Sequence, residues 1–128
     1  MNVLLDTHIF IWLIEGNQNL SQAARQAIED ESNHLHLSIA SLWEITIKTS
    51  LGKLELGIPL EQVLTNFILP SGIGILPIHL PHLLVLRDLP LHHRDPFDRL
   101  LISQAKSESL TLLSEDSLFK QYDVETFW

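Results

Sequence analysis

Val3-Leu4-Leu5-Asp6-Thr7-His8 places three consecutive large apolar residues directly before an acid and a hydroxyl. A run this short and unbroken, without polar alternation, reads as a strand buried on both faces. A helical stretch follows through Trp12 and closes at Gly16-Asn17. Working outward, Ser21 caps a polar helix over Gln22 to Glu31, whose alanines and Ile28 give it an inward side. Leu35 to Ser38 reads as a second short strand, and Ile39 to Leu51 as a helix with Gly52 at its stop. Pro59 and Leu60 open a helix over Glu61 to Leu69, halted by Pro70-Ser71-Gly72. Ile75 to Ile78 is the third strand, followed by a helix over Leu80 to Arg87. Asp95-Pro96 starts a well-marked helix to about Ser107. Thr111 to Leu113 is a fourth strand, Ser117 to Tyr122 a short helix, and Val124 to Phe127 a last strand.

Short apolar strands alternating with helices specify an α/β protein, with a central parallel sheet of four to five strands and helices on both faces. The 128 residues contain no repeat, linker or low-complexity segment, so residues 1–128 form a single domain. An apolar share of 45% supplies a complete core and excludes a disordered chain. The longest apolar run, Val3 to Ile14, is broken by Asp6 and His8 and falls short of the roughly 18 residues a membrane span needs. No basic start leads into a small-residue cleavage site, and cysteine is absent. The expected setting is therefore the cytoplasm, without membrane contact, disulfides or thiolate metal ligands.

A net charge of -8 opposes a broad electrostatic grip on nucleic acid. The charge has two readings: a soluble acidic surface, or carboxylates gathered around a cation. In open α/β sheets the ligand crevice lies beyond the carboxyl ends of the strands. Asp6 ends the first strand, and Asp116 follows the fourth in Leu113-Ser114-Glu115-Asp116. Either acid has a plain alternative as a turn former or helix cap. Asp98 follows the Asp95 cap and benefits from the helix dipole. Yet a turn of about 100° per residue puts it in the arc of Phe97, Leu101, Ile102 and Ala105. Glu44 borders the arc of Ala40, Trp43, Ile47 and Leu51, with Lys48 four residues on as an ordinary ion-pair partner.

Each acid alone has a bland explanation; the set of Asp6, Glu44, Asp98 and Asp116 does not. Two carboxylates about 4 Å apart repel by roughly 4 kcal/mol at an effective dielectric of 20. Gathered together, they must either take up protons or hold a divalent cation. Ligands that are all oxygen suit Mg2+ or Mn2+ rather than zinc, and no histidine pair has the spacing of a zinc motif. Such a cation beside a phosphate is the apparatus of phosphodiester hydrolysis.

These residues resemble the PIN-domain ribonucleases, specifically the VapC-type toxins. The matching stretches run in order: Leu4-Leu5-Asp6-Thr7-His8, then Ser38-Ile39-Ala40-Ser41-Leu42-Trp43-Glu44-Ile45. His93-Arg94-Asp95-Pro96-Phe97-Asp98-Arg99-Leu100-Leu101-Ile102-Ser103-Gln104-Ala105 follows. Leu113-Ser114-Glu115-Asp116, Phe119, Tyr122, Val124 and Trp128 complete the set. The resemblance implies a PIN-like fold, a metal-binding site of Asp6, Glu44, Asp98 and Asp116, and Mg2+ or Mn2+ as cofactor. Thr7 and Ser114 match small hydroxyl positions that orient a carboxylate or a bound water; Ser114 stands where the family often has threonine. The resemblance further implies an RNA substrate, a cognate antitoxin protein and a homodimer.

Asp95 reads as a helix cap and Glu115 as solvent-facing, although both neighbour the favoured acids. His92-His93-Arg94 reads as a polar loop, with phosphate contact as its alternative, and His8 receives the same reading. Arg94, Arg99 and Lys48 are the candidates for a basic rim along the cleft. The rival functions are a PIN-like module that binds RNA or protein without cutting, and a DNA nuclease using the same acids.

Overall fold

The structure is a computed structural model and describes residues 1–128. The elements run β1 (Asn2–Leu5), α1 (Thr7–Glu15), α2 (Gln22–Glu29), β2 (His34–Ser38) and α3 (Ile39–Ser50). Next come α4 (Leu60–Val63), a π-helical turn (Leu64–Ile68) and α5 (Leu69–Ser71). The chain continues with β3 (Gly74–Leu76), α6 (Leu80–Arg87), α7 (Pro96–Glu108) and β4 (Thr111–Leu113). A 3-10 turn (Ser117–Gln121) and β5 (Thr126–Phe127) end it. The five strands form one sheet in the order β3-β2-β1-β4-β5, and every pairing is parallel. The expected α/β class and covered parallel sheet are both present.

β1 lies at the centre, between β2 and β4, which explains its unbroken apolar run. Val3 and Leu5 enter a core shared with Ile9, Phe10, Ala24, Ile45 and Ile68. Leu4, pointing the other way, joins Leu101, Ile102, Ala105, Leu112 and Phe119. Alternate side chains of one strand thus feed two cores on opposite faces. One face is covered by α1, α2 and the α4 region, the other by α6, α7 and the 3-10 turn.

Several element boundaries differ from the sequence reading, among them the last strand, which is Thr126–Phe127 rather than Val124 to Phe127; three have a clear local reason. The α2 helix stops at Glu29 rather than Glu31, because the Asp30 carboxylate accepts from the Ser32 amide and hydroxyl and turns the chain. The third strand is Gly74–Leu76, not Ile75 to Ile78; Pro77 has no amide hydrogen to extend the ladder. The expected Glu61 to Leu69 helix runs on past Pro70. Its turn widens so that the Leu69 amide donates to the Leu64 carbonyl, and it ends where Gly72 takes φ 67°.

Candidate metal centre

Beyond the carboxyl ends of β1 and β4 lies a cavity of about 440 Å³ lined by Asp6, His8, Asp98, Glu115, Asp116 and Ser117. None of its lining residues is apolar. A larger depression of about 750 Å³ lies at the opposite, amino end of the sheet, around Glu29, Asp30, His34 and Gly74. Chemistry rather than size distinguishes the two, because only the smaller one gathers a buried carboxylate, Asp6, and two half-buried ones, Asp98 and Asp116.

Asp6 occupies the backbone N-cap position of α1, yet its side chain makes no capping hydrogen bond. Its carboxylate is instead 4% exposed and accepts from the Ser114 hydroxyl at 2.8 Å. Burial pushes the Asp6 carboxyl up, while Ser114 and the Thr7 amide oppose that rise. The capping alternative for Asp6 is therefore not what the side chain does. Asp116 does cap: its Oδ1 accepts from the Leu118 amide at 2.9 Å, while its own amide donates to Ser114 Oγ. Ser114 thus links the ends of β1 and β4 and orients two of the acids.

Asp98 sits in the first turn of α7, but Asp95 supplies the cap, accepting from the Phe97 and Asp98 amides. This leaves the Asp98 carboxylate free for the crevice. Its pKa is pushed up to about 7, first by burial and then by repulsion from Asp6, Asp95, Glu44 and Asp116. Glu44 does not line the cavity but stands close enough for its charge to act on Asp98. It is 5% exposed; Oε2 accepts from Lys48 at 2.7 Å, and Oε1 is buried without any hydrogen-bond partner. The ordinary ion pair is present, and it leaves half of the carboxylate unsatisfied.

The remaining predicted residues have defined places. Thr7 donates to Ser41 Oγ at 2.8 Å, so it joins α1 to α3 rather than orienting a carboxylate. Arg99 donates to the carbonyls of Leu89 and Pro90, so its guanidinium holds a loop instead of facing a strand of nucleic acid. Lys48 is engaged by Glu44. Arg94 is exposed and makes no ion pair. Glu115 is exposed, as expected, although it lines the cavity.

Of the three histidines that read as polar loop, His8 lies instead in the first turn of α1, and both His8 and His93 stand at the site. His8 is exposed and lines the cavity. His93 is 6% exposed, and its Nε2 lies 3.2 Å from Asp116 Oδ2. Its ring packs against Phe119 and Tyr122, with centroids 4.9 and 5.5 Å away. One atom each of His93, Asp98 and Asp116 able to ligate a metal lies within 4.8 Å of the other two. Only the closeness of His8 to Asp6 in the chain could have drawn attention to it. For His93 no local signal exists, because its burial comes from residues more than twenty positions later.

The donor set fits a hard divalent cation. A buried carboxylate oxygen without a partner and an acid protonating at about 7 are both signs of uncompensated negative charge.

The PIN-domain family profile matches residues 3–125. A comparison with curated protein sequences finds no match. Among solved structures, the chain is similar to VapBC2 from Rickettsia felis, solved bound to a DNA fragment from its promoter. That likeness has a TM-score of 0.75 and 19% identity, covering 99% of this chain and 98% of that one. FitAcB from Neisseria gonorrhoeae gives a TM-score of 0.66 and 24% identity, over 98% of this chain and 96% of that one. VapBC-1 from nontypeable Haemophilus influenzae gives 0.66 and 18%, over 99% and 97%. These likenesses establish a shared fold along essentially the whole chain. With the fold, the acidic crevice and the family profile in agreement, the chain belongs to the PIN-domain family.

Proposed function

We propose that this PIN domain is an endoribonuclease that hydrolyses RNA phosphodiester bonds with Mg2+ or Mn2+, and that it is the toxin of a toxin–antitoxin pair. The observation that carries the reading is the convergence of Asp6, Asp98 and Asp116 on one crevice with Glu44 beside them. PIN domains are generally nucleases, which supports catalysis over a purely binding role. Asp6, Asp98 and Asp116 would hold the cation, with Glu44 binding directly or through water. When bound, the cation supplies activation of a water and charge stabilisation at the phosphate.

The chain's own groups do the rest. Ser114 holds Asp6 in its rotamer, and the Leu118 amide holds Asp116. Arg94, exposed and unpaired, is the remaining basic side chain of the expected rim, and it fits contact with the RNA backbone. Because the chain is acidic overall, RNA binding would depend on the cation and on such local contacts.

The toxin reading draws on the likeness to VapBC2, FitAcB and VapBC-1. A cognate antitoxin and a homodimer go with it. Leu80, Leu83 and Leu84 are exposed along α6, an apolar surface suited to a second protein surface. No helix is long and apolar enough to cross a membrane; a cytoplasmic location belongs to the same proposal.

The test is digestion of single-stranded RNA and of DNA, with and without chelator, by wild type, Asp6→Asn and Asp98→Asn. RNA should be cut only when Mg2+ or Mn2+ is present, and each variant should lose about 100-fold or more of the rate. Full activity in chelator, or in either variant, would overturn the assignment. A preference for DNA would overturn the substrate.

A further inference from the structure

We propose that His93, locked by Tyr122, is a positioning residue that presets the Asp116 carboxylate for the cation. The inference rests on the metal-site reading above, but it concerns a residue outside the acidic set. The amides of His92 and His93 donate to Tyr122 Oη at 3.0 and 2.7 Å. A phenol oxygen has two lone pairs, so both are taken and its hydrogen must be given outward. His93 Nδ1 lies 3.3 Å away and can receive it. A neutral imidazole that accepts at Nδ1 carries its hydrogen on Nε2, which faces Asp116 Oδ2 at 3.2 Å.

Asp116 is therefore held at both oxygens, Oδ1 by the Leu118 amide and Oδ2 by the imidazole. Burial and the flanking rings of Phe119 and Tyr122 keep the imidazole from turning away. The alternative use of His93 is direct ligation, since its nitrogen lies within 4.8 Å of ligand atoms of Asp98 and Asp116. Ligation would require Nε2 to shed its hydrogen and Nδ1 to donate. The phenol oxygen it would meet already accepts two amides. The hydrogen-bond count thus favours a donor over a ligand. Hydrogen bonds to ligating carboxylates fix their orientation and set metal affinity.

The experiment is titration calorimetry of Mn2+ into the full chain without RNA, for wild type, His93→Gln, His93→Phe and Tyr122→Phe. Circular dichroism would check the fold of each. His93→Phe keeps a ring but loses the donor, and should weaken Mn2+ binding about 10- to 100-fold. His93→Gln offers a side-chain N–H in a similar place and should stay within about threefold of wild type. Tyr122→Phe removes the lock and should fall between them. Pulsed electron paramagnetic resonance of the Mn2+-loaded wild type should detect no directly bound imidazole nitrogen, a readout that does not depend on any variant folding. Unchanged affinity in folded His93→Phe would overturn the positioning role, as would a loss in folded His93→Gln equal to that in His93→Phe. A bound nitrogen would convert His93 into a ligand and also overturn it. Absence of saturable Mn2+ uptake by wild type would instead remove the metal-site reading, and this proposal with it.

Discussion

The Ser114 hydroxyl donates to Asp6 Oδ2 at 2.8 Å, joining residues 108 positions apart in the chain. The serine oxygen also accepts from the Asp116 amide, so one hydroxyl ties the Asp6 carboxylate to the backbone of Asp116 at the ends of adjacent strands. Ser114→Ala should lower unfolding stability in urea by about 2 kcal/mol, since it strands a buried acceptor and an amide. Ser114→Thr should retain most of that stability and of the Mn2+ affinity. Unchanged values for Ser114→Ala would mean that the link does not organise the site.

The Asp98 carboxyl, pushed up to about 7 from an ordinary 3.8, sets a direction for pH dependence. An acid with a raised folded pKa binds its proton more tightly when folded. Its stabilising share is complete below the unfolded value and is lost as pH rises through the folded one. The metal-free protein should therefore melt at falling temperature from about pH 4 to about pH 8, and Asp6, shifted in the same direction, adds to the decline. Asp98→Asn should flatten the slope. Manganese should restore the wild type at the alkaline end and should do little for the variant. A pH-independent melting temperature in metal-free wild type would contradict this.

Lys48 neutralises one oxygen of a nearly inaccessible Glu44, and the other oxygen has no partner. Lys48→Met should destabilise the metal-free chain by about 1–3 kcal/mol, because Glu44 is left buried and charged. Lys48 is partly exposed, so the lower part of that range is expected. Glu44→Gln should cost less, since it removes the charge itself. Melting curves of the two variants, with and without Mn2+, would decide. A larger loss for Glu44→Gln would show that the carboxylate is satisfied by other means.

The leucines of α6 offer a separate test of the proposed homodimer. Leu83→Glu combined with Leu84→Glu should shift sedimentation from dimer to monomer while leaving Mn2+ uptake unchanged, as both side chains are exposed and neither lines the acidic cavity. A dimer that survives the double change would place the seam on another surface.

The central sheet was legible because Val3-Leu4-Leu5 has no polar alternation, which only a strand covered on both faces tolerates. Asp95-Pro96 announced α7 with equal clarity, since a cap followed by proline has few other uses. The crevice acids could be found because Asp6 directly follows β1 and Asp116 comes three residues after β4. The π-helical turn could not, because it reflects how Val63 and Ile68 seat in the core rather than a local preference. Nor could the buried state of His93, whose neighbours Asp116, Phe119 and Tyr122 come together only through tertiary packing. Thr7 and Arg99 illustrate the converse. Their residue types suited the site, but nearer partners claimed them.

Placing β1 between β2 and β4 has a consequence for how the protein is made. β1 waits for its second neighbour, β4, until residue 111 has been synthesised. The acids at positions 6, 44, 98 and 116 cannot meet before then, so a growing or truncated chain holds no assembled acidic site. Completion of the acidic crevice is thus coupled to closure of the sheet by β4.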